Sequence, residues 1–151
     1  MNDKPNISVL IPTYNRADIL NETLQNMERL DKNGLSVEFV VIDNNSSDHT
    51  KSVVDSFKDS LGPRYIFEQR PGKNCALNKA LNNVEMGEII AFTDDDVSPS
   101  HDWLRVVWAV CKRWPDYYVF GGDMFGASEF EILLWDLVVP YVDSTLLLKK
   151  P

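Results

Sequence analysis

A regular exchange of apolar runs and amphipathic stretches constrains this chain more than any other feature. ISVLIP (7–12) is a continuous apolar run, the pattern of a strand buried on both faces. NRADILNETLQNMERL (15–30) then places Ala17, Leu20, Leu24, Met27 and Leu30 at helical spacing, with Asn15 as the expected N-cap. VEFVVID (37–43) reads as the second strand, and SDHTKSVVDSFKDSL (47–61) as a helix with Val53, Val54, Phe57 and Leu61 on one face. RYIFEQ (64–69) is the third strand, followed by a short helix over NCALNKALNNV (74–84) that packs Leu77, Ala80, Leu81 and Val84. EIIAFT (88–93) is the fourth strand. SPSHDWLRVVWAVCKRW (98–114) turns Trp103, Val107, Val110 and Trp114 inward, and YYVFGG (117–122) is a fifth strand. Repeated strand–helix exchange through short connections predicts an α/β fold: a mostly parallel, Rossmann-like sheet with helices on both faces.

Such a sheet binds ligands outside the carboxyl ends of its strands. Here those ends read Thr13-Tyr14-Asn15-Arg16, Asp43-Asn44-Asn45-Ser46, Gln69-Arg70 and Asp94-Asp95-Asp96. The triplet demands a reason. Two carboxylates about 4 Å apart repel by up to roughly 4 kcal/mol at an effective dielectric near 20, and turn chemistry accounts for one Asp or two. Three in a row imply a cation. No GxGxxG follows the first strand and no GxxxxGK[ST] occurs, so neither phosphate cradle is available. A diphosphate bound here needs a hard divalent cation, Mn2+ or Mg2+, held by one or two carboxylates and completed by the phosphates.

Composition narrows the partners. The 151 residues suit one domain, with 44% hydrophobic and 25% charged residues and a formal charge of −8. An acidic chain without a basic stripe argues against a nucleic-acid partner. Cys75 and Cys111 form no CxxC and read as reduced thiols. His49 and His101 have no partner at metal-ligand spacing and read as surface residues. No signal pattern precedes the first strand, and the longest apolar run, 130–148, is broken by Glu131, Asp136, Pro140 and Asp143. No transmembrane segment and a cytoplasmic location are therefore expected.

SVLIPTYNRADIL, VIDNNSSDHT, RPGKNCALNKAL and IIAFTDDDVSPSHDWL, in that order, resemble the nucleotide-binding half of family 2 glycosyltransferases with the GT-A fold, over about residues 6–122. The resemblance implies transfer of a sugar from a nucleoside-diphosphate donor to a sugar, lipid-linked or protein acceptor. It implies that Pro12, Thr13 and Tyr14 line the nucleobase and ribose, and that Asp43 accepts a hydrogen bond from the base. That base is typically uracil, although guanine- and thymine-linked sugars also serve in the family. Arg70, Gly72 and Lys73 match a loop near the diphosphate, and Asn78 matches that motif's Asn. Asp94-Asp95-Asp96 matches the DXD element, with Asp94 and Asp96 toward the metal and Asp95 able to replace either. The implied division is 1–122 for the nucleotide sugar and 123–151 for the start of an acceptor-side region, an amphipathic helix and tail.

One part of the family pattern has no match. Inverting members use a downstream Asp as general base for the acceptor hydroxyl, and no Glu-Asp-type motif aligns here. Asp123, Glu129, Glu131 and Asp136 are carboxylates in that region, Asp123 being the first candidate. The expectation is a chain that binds a nucleoside diphosphate with metal but transfers sugar slowly or not at all, as a fragment of a longer protein or one without an acceptor half. Phe130, Leu133, Leu134, Leu137 and Val138 form one apolar face, extended by Trp135 and Val139. That face predicts a homo-oligomer through 130–148, or disorder of the segment. Two other readings remain open. Asp94-Asp95-Asp96-Val97-Ser98 approximates the DxDx[TV] signature of haloacid dehalogenase-like Mg-dependent phosphatases, though that motif normally ends a first strand. A non-catalytic nucleotide-sugar-binding or assembly domain fits the missing base.

Overall fold

The apolar run near the start of the chain becomes the middle of a sheet. The computed structural model describes residues 4–116, 119–122 and 145–149, the last two stretches as backbone. The elements are β1 (Ile7–Thr13), α1 (Ala17–Glu28), β2 (Val37–Asp43), α2 (Thr50–Ser56), β3 (Arg64–Phe67), α3 (Lys73–Asn83), β4 (Ile89–Phe92), α4 (Trp103–Arg113), β5 (Val119–Gly122) and β6 (Thr145–Lys149). Six strands form one sheet in the order β3-β2-β1-β4-β6-β5. β1 to β4 are mutually parallel, as the unbroken apolar runs predict.

The strand order creates a switch point. From β1 the chain steps to β2 and then β3 in one direction, and from β3 it returns past β1 to β4. Right-handed crossovers require α1 and α2, which carry the chain out to β3, to lie on the face opposite α3, which carries it back to β4. They do. α1, α2 and α4 bury Leu20, Leu24, Met27, Val53, Val54, Leu104 and Val107 against Val9, Ile11, Phe39, Val41 and Ala91. α3 buries Ala76 and Ala80 against Leu10, Val40, Ile42 and Ile90 on the other face.

Pro12 helps to open the crevice. The β1–β4 register runs from Ile7↔Ile89 to Leu10↔Phe92, and Thr93 N donates to Leu10 O at 3.1 Å. In a parallel ladder the next bond would come from the amide of residue 12. Proline has no N–H to give, so β1 and β4 part there, while β1 and β2 stay paired to Thr13↔Asp43.

Several local expectations are corrected. Asn15 does not cap α1; it takes a left-handed conformation (φ 50°), and Arg16 holds the cap position without a side-chain bond. The cap comes from Asp48, which accepts from Ala17 N at 3.0 Å and from Thr50 N at 3.1 Å, so one carboxylate serves the starts of α1 and α2. Burial pushes the Asp48 pKa up, but the bonds from Thr50 and Ala17 outweigh it and hold the group low. Leu81 and Trp114 are exposed, while Ala76, Leu104 and Cys111 are buried. α4 buries the stripe 103, 104, 107 and 111, and Trp114 lies beyond its last turn. His49 is exposed but lies 3.2 Å from Asp18.

β5 and β6 also differ from expectation. β5 pairs antiparallel with β6, and β6 antiparallel with β4. β6, not foreseen within 123–151, takes up 145–148 of the apolar stretch expected to self-associate. Residues 130–144 and the carboxylates Asp123, Glu129, Glu131 and Asp136 lie outside the described residues. Among the described residues, no helix is long and apolar enough to cross a membrane. No disulfide joins Cys75 and Cys111.

Candidate functional site

The carboxyl ends of β1, β2 and β3 stop in register, with Thr13, Asp43 and Phe67 on one row. Alternation along the strands puts all three on the sheet face that carries α1 and α2. Beyond Thr13, across the opening left by Pro12, stands the aspartate triplet. The site is therefore a row: an aromatic ring, a carboxylate, a hydroxyl, then three carboxylates.

The three aspartates do different things. Asp95, only 5% exposed, turns inward. It accepts from Thr13 Oγ1 at 2.7 Å and from Arg16 Nη1 at 3.1 Å, while its backbone carbonyl accepts from Thr23 Oγ1 at 2.7 Å. Asp94 and Asp96 keep access to solvent, with side chains 38% and 53% exposed. Asp94 pairs with Lys73 Nζ, and Asp96 pairs with Arg16 Nη1 at 3.1 Å. Arg16 thus bridges two carboxylates, and the bond and charge of Asp95, then the charge of Asp96, raise its pKa. Two cations from other elements offset the crowding of like charge.

Asp43 is buried at 3% exposure, with both oxygens engaged. Oδ1 accepts from Ser46 N at 2.8 Å and Oδ2 from Tyr65 Oη at 2.6 Å. Pro12 is buried in β1, and Tyr14 stands 58% exposed just beyond it. Arg70 turns back on Glu68, with Nε at 3.2 Å and Nη2 at 3.0 Å from its oxygens. The bonds from the Arg70 side chain and backbone hold the Glu68 carboxyl down to about 2. Lys73 opens α3 beside Asp94, and Asn78 is exposed further along the same helix. Pro12, Thr13, Tyr14, Asp43, Lys73 and the triplet thus belong to one edge, whereas the Arg70 guanidinium is committed to Glu68.

Sequence reasoning did not foresee the bonds that hold this edge together. Asn44 donates from Nδ2 to Glu68 O (3.2 Å) and Arg70 O (2.6 Å), and its Oδ1 accepts from Gly72 N at 2.7 Å. It pins the loop between β3 and α3, where Gly72 needs its left-handed φ of 117°. Thr23, Tyr65 and Glu68 were not singled out, and Arg16 only as part of a polar strand end. Thr93, the residue before the triplet, buries Oγ1 without a hydrogen-bond partner among the described residues.

Among the described residues, no three side chains of His, Cys, Asp and Glu gather as a metal-holding group. Asp94 and Asp96 nonetheless suit a hard cation. They offer exposed oxygen donors beside the opening, and Mg2+-like ions need only one or two carboxylates when phosphates complete the shell. Asp95 is buried and tied to Thr13 and Arg16, so it offers a cation less than its two exposed neighbours do.

Residues 8–138 match the model of Glycosyl transferase family 2. The chain belongs to that family, and its fold is the GT-A arrangement. It is 38% identical over 95 residues to the GalNAc(5)-diNAcBac-PP-undecaprenol beta-1,3-glucosyltransferase of Campylobacter jejuni, an alignment covering 61% of this chain and 30% of that protein. The mannosyltransferase PcManGT from Pyrobaculum calidifontis, solved with GDP-Man and Mn2+, superposes with a TM-score of 0.63 at 31% identity, covering 80% of this chain and 35% of the other. S. aureus TarS 1-349 in complex with UDP-GlcNAc gives 0.60 at 28% identity, over 72% of this chain and 31% of the other. The chain spans about a third of the length of these proteins. Membership sets aside the phosphatase reading, whose acidic motif would in any case follow a first strand rather than β4.

Proposed function

We propose that this chain is the donor-binding part of a metal-dependent glycosyltransferase that moves a hexosyl group from a nucleoside-diphosphate sugar, with uridine diphosphate as the preferred carrier. The observation that carries the reading is the division of labour in the triplet. Asp95 ties β4 to β1, and this holds Asp94 and Asp96 outward at the switch point, where open α/β sheets bind nucleotides. The relatives and neighbours support it: one is a glucosyltransferase, and two were solved with GDP-Man and Mn2+ or with UDP-GlcNAc.

In this reading Asp43 accepts a hydrogen bond from the base, Thr13 and Tyr14 line the nucleoside, and Pro12 keeps β1 and β4 apart for it. Asp94 and Asp96 would hold Mn2+ or Mg2+, which supplies charge neutralisation for the diphosphate leaving group. Lys73 stands beside Asp94 and adds a further positive charge near the phosphates. Arg70 and Asn78 would meet the diphosphate end, Arg70 only on release from Glu68. Residues 1–122 form the donor side and 123–151 begin the acceptor side, where a sugar, lipid-linked or protein hydroxyl would enter and where Asp123 is the first candidate for its base.

Thermal unfolding with UDP, GDP, TDP, ADP and CDP, each with and without Mn2+, tests the proposal. A ligand that binds only the folded state stabilises it by RT ln(1 + [L]/Kd), about 2.7 kcal/mol at a hundredfold excess over Kd. Stabilisation by a nucleoside diphosphate only when Mn2+ is present is expected. No response to any nucleotide would overturn the reading. Acceptor-independent hydrolysis of the matching nucleotide sugar would exclude a purely binding role.

A further inference from the structure

Tyr65 lies one pleat below the row that forms the site, on the same sheet face as Asp43, with registers Val41↔Tyr65 and Asp43↔Phe67. Its hydroxyl donates to Asp43 Oδ2 at 2.6 Å while Ser46 N donates to Oδ1 at 2.8 Å. One donor on each oxygen fixes the rotation of the carboxylate and leaves each oxygen further accepting capacity. The Tyr65 ring is itself held: it packs against the core beneath α1 and α2, and Lys51 Nζ lies 5.1 Å from its centroid. Burial, then the bond and charge of Asp43, and then the charge of Asp55 push the phenol well above its ordinary range, so it stays a donor.

This has a consequence for the ligand. A fixed, buried carboxylate that already takes two donors can only accept, so the ligand edge that meets it must carry N–H. Uracil and thymine present a ring N–H between two carbonyls, and guanine presents one beside its amino group. Cytosine and adenine present a ring-nitrogen lone pair at the equivalent place, which would face the anion unpaired.

We infer that Tyr65 is a positioning residue for base selection, acting through Asp43 to favour nucleoside diphosphates whose base carries a ring N–H. The inference rests on the reading of Asp43 as the base acceptor. Tyr65 does not touch the ligand in this account; it sets the direction in which Asp43 accepts.

The test titrates wild type, Tyr65→Phe and Asp43→Asn with UDP, GDP, CDP and inorganic pyrophosphate, all with Mn2+, and checks folding by melting temperature. Tyr65→Phe removes one oxygen and keeps the ring, so its fold is retained. The favoured nucleotide should bind up to about tenfold more weakly, the cost of ordering on binding a carboxylate that Tyr65 no longer holds, and its preference over CDP should shrink. Pyrophosphate affinity should not move, which a general loss of structure would not produce. If Tyr65→Phe keeps the wild-type preference while Asp43→Asn loses it, Asp43 stands as the base acceptor and the role of Tyr65 is overturned. Equal binding of UDP, GDP and CDP by wild type, or an unchanged preference in Asp43→Asn, would overturn both.

Discussion

Thr13 Oγ1 donates to Asp95 Oδ2 at 2.7 Å, joining the end of β1 to the loop after β4 across the switch point. The bond is buried, and it determines which of three adjacent aspartates faces inward. Removing its donor without changing shape should be costly, because a buried carboxylate oxygen loses its partner. Thr13→Val is expected to destabilise by about 1–3 kcal/mol. Thr93→Val is the control: its hydroxyl is buried without a partner among the described residues, so the change should be neutral or slightly stabilising. Urea unfolding of both variants checks the contrast, and equal losses would contradict the assignment of Asp95.

Stability should also respond to acid through Glu68. The Arg70 bonds hold its carboxyl at about 2, below the ordinary value of 4.5. A depressed carboxyl stabilises the fold fully above about pH 4.5, and that contribution fades as pH falls toward 2. Between pH 5 and pH 3, wild type should therefore lose more stability than Glu68→Gln. Parallel pH profiles for the two proteins would show that the pair contributes nothing.

Asn44 ties the β3–α3 loop through three bonds to backbone atoms. Asn44→Ala leaves those groups to find water, at a cost of about 1–3 kcal/mol. The loss should be local first. Hydrogen exchange at the Gly72 amide, whose acceptor is Asn44 Oδ1, should accelerate more than exchange at β1 amides. Uniform acceleration across the sheet would mean that Asn44 supports the whole fold rather than the loop.

The sheet was legible in the sequence because apolar runs and helical stripes repeat with short connections. The four polar strand ends followed from that frame. The residues it did not reveal act over long separations. Asn15 has the chemistry of a cap, but Asp48, 31 residues from Ala17, holds the position. Asn44 was part of a polar strand end, yet its partners are backbone atoms 24 to 28 residues away, which side-chain identity does not mark. β6 was hidden because TLLLK is a short apolar run, and periodicity cannot separate helix from strand at that length. Nor could spacing say which aspartate of three turns inward, since strand alternation ends with β4 at Phe92.

The central claim is that Asp94 and Asp96 hold a cation together with a nucleoside diphosphate, while Asp95 holds the fold. Asp96→Asn keeps shape and removes charge, and its pairing with Arg16 is solvent-exposed, so the stability of the ligand-free protein should change by no more than about 1 kcal/mol. Mn2+-dependent UDP titration of Asp94→Asn, Asp95→Asn and Asp96→Asn, alongside their unfolding free energies, is the direct measurement. The account predicts loss of Mn2+-dependent binding with near-normal stability for Asp94→Asn and Asp96→Asn, and a clear stability loss for Asp95→Asn. Wild-type UDP binding in Asp96→Asn, or normal stability in Asp95→Asn with binding lost, would contradict it and move the metal to Asp95.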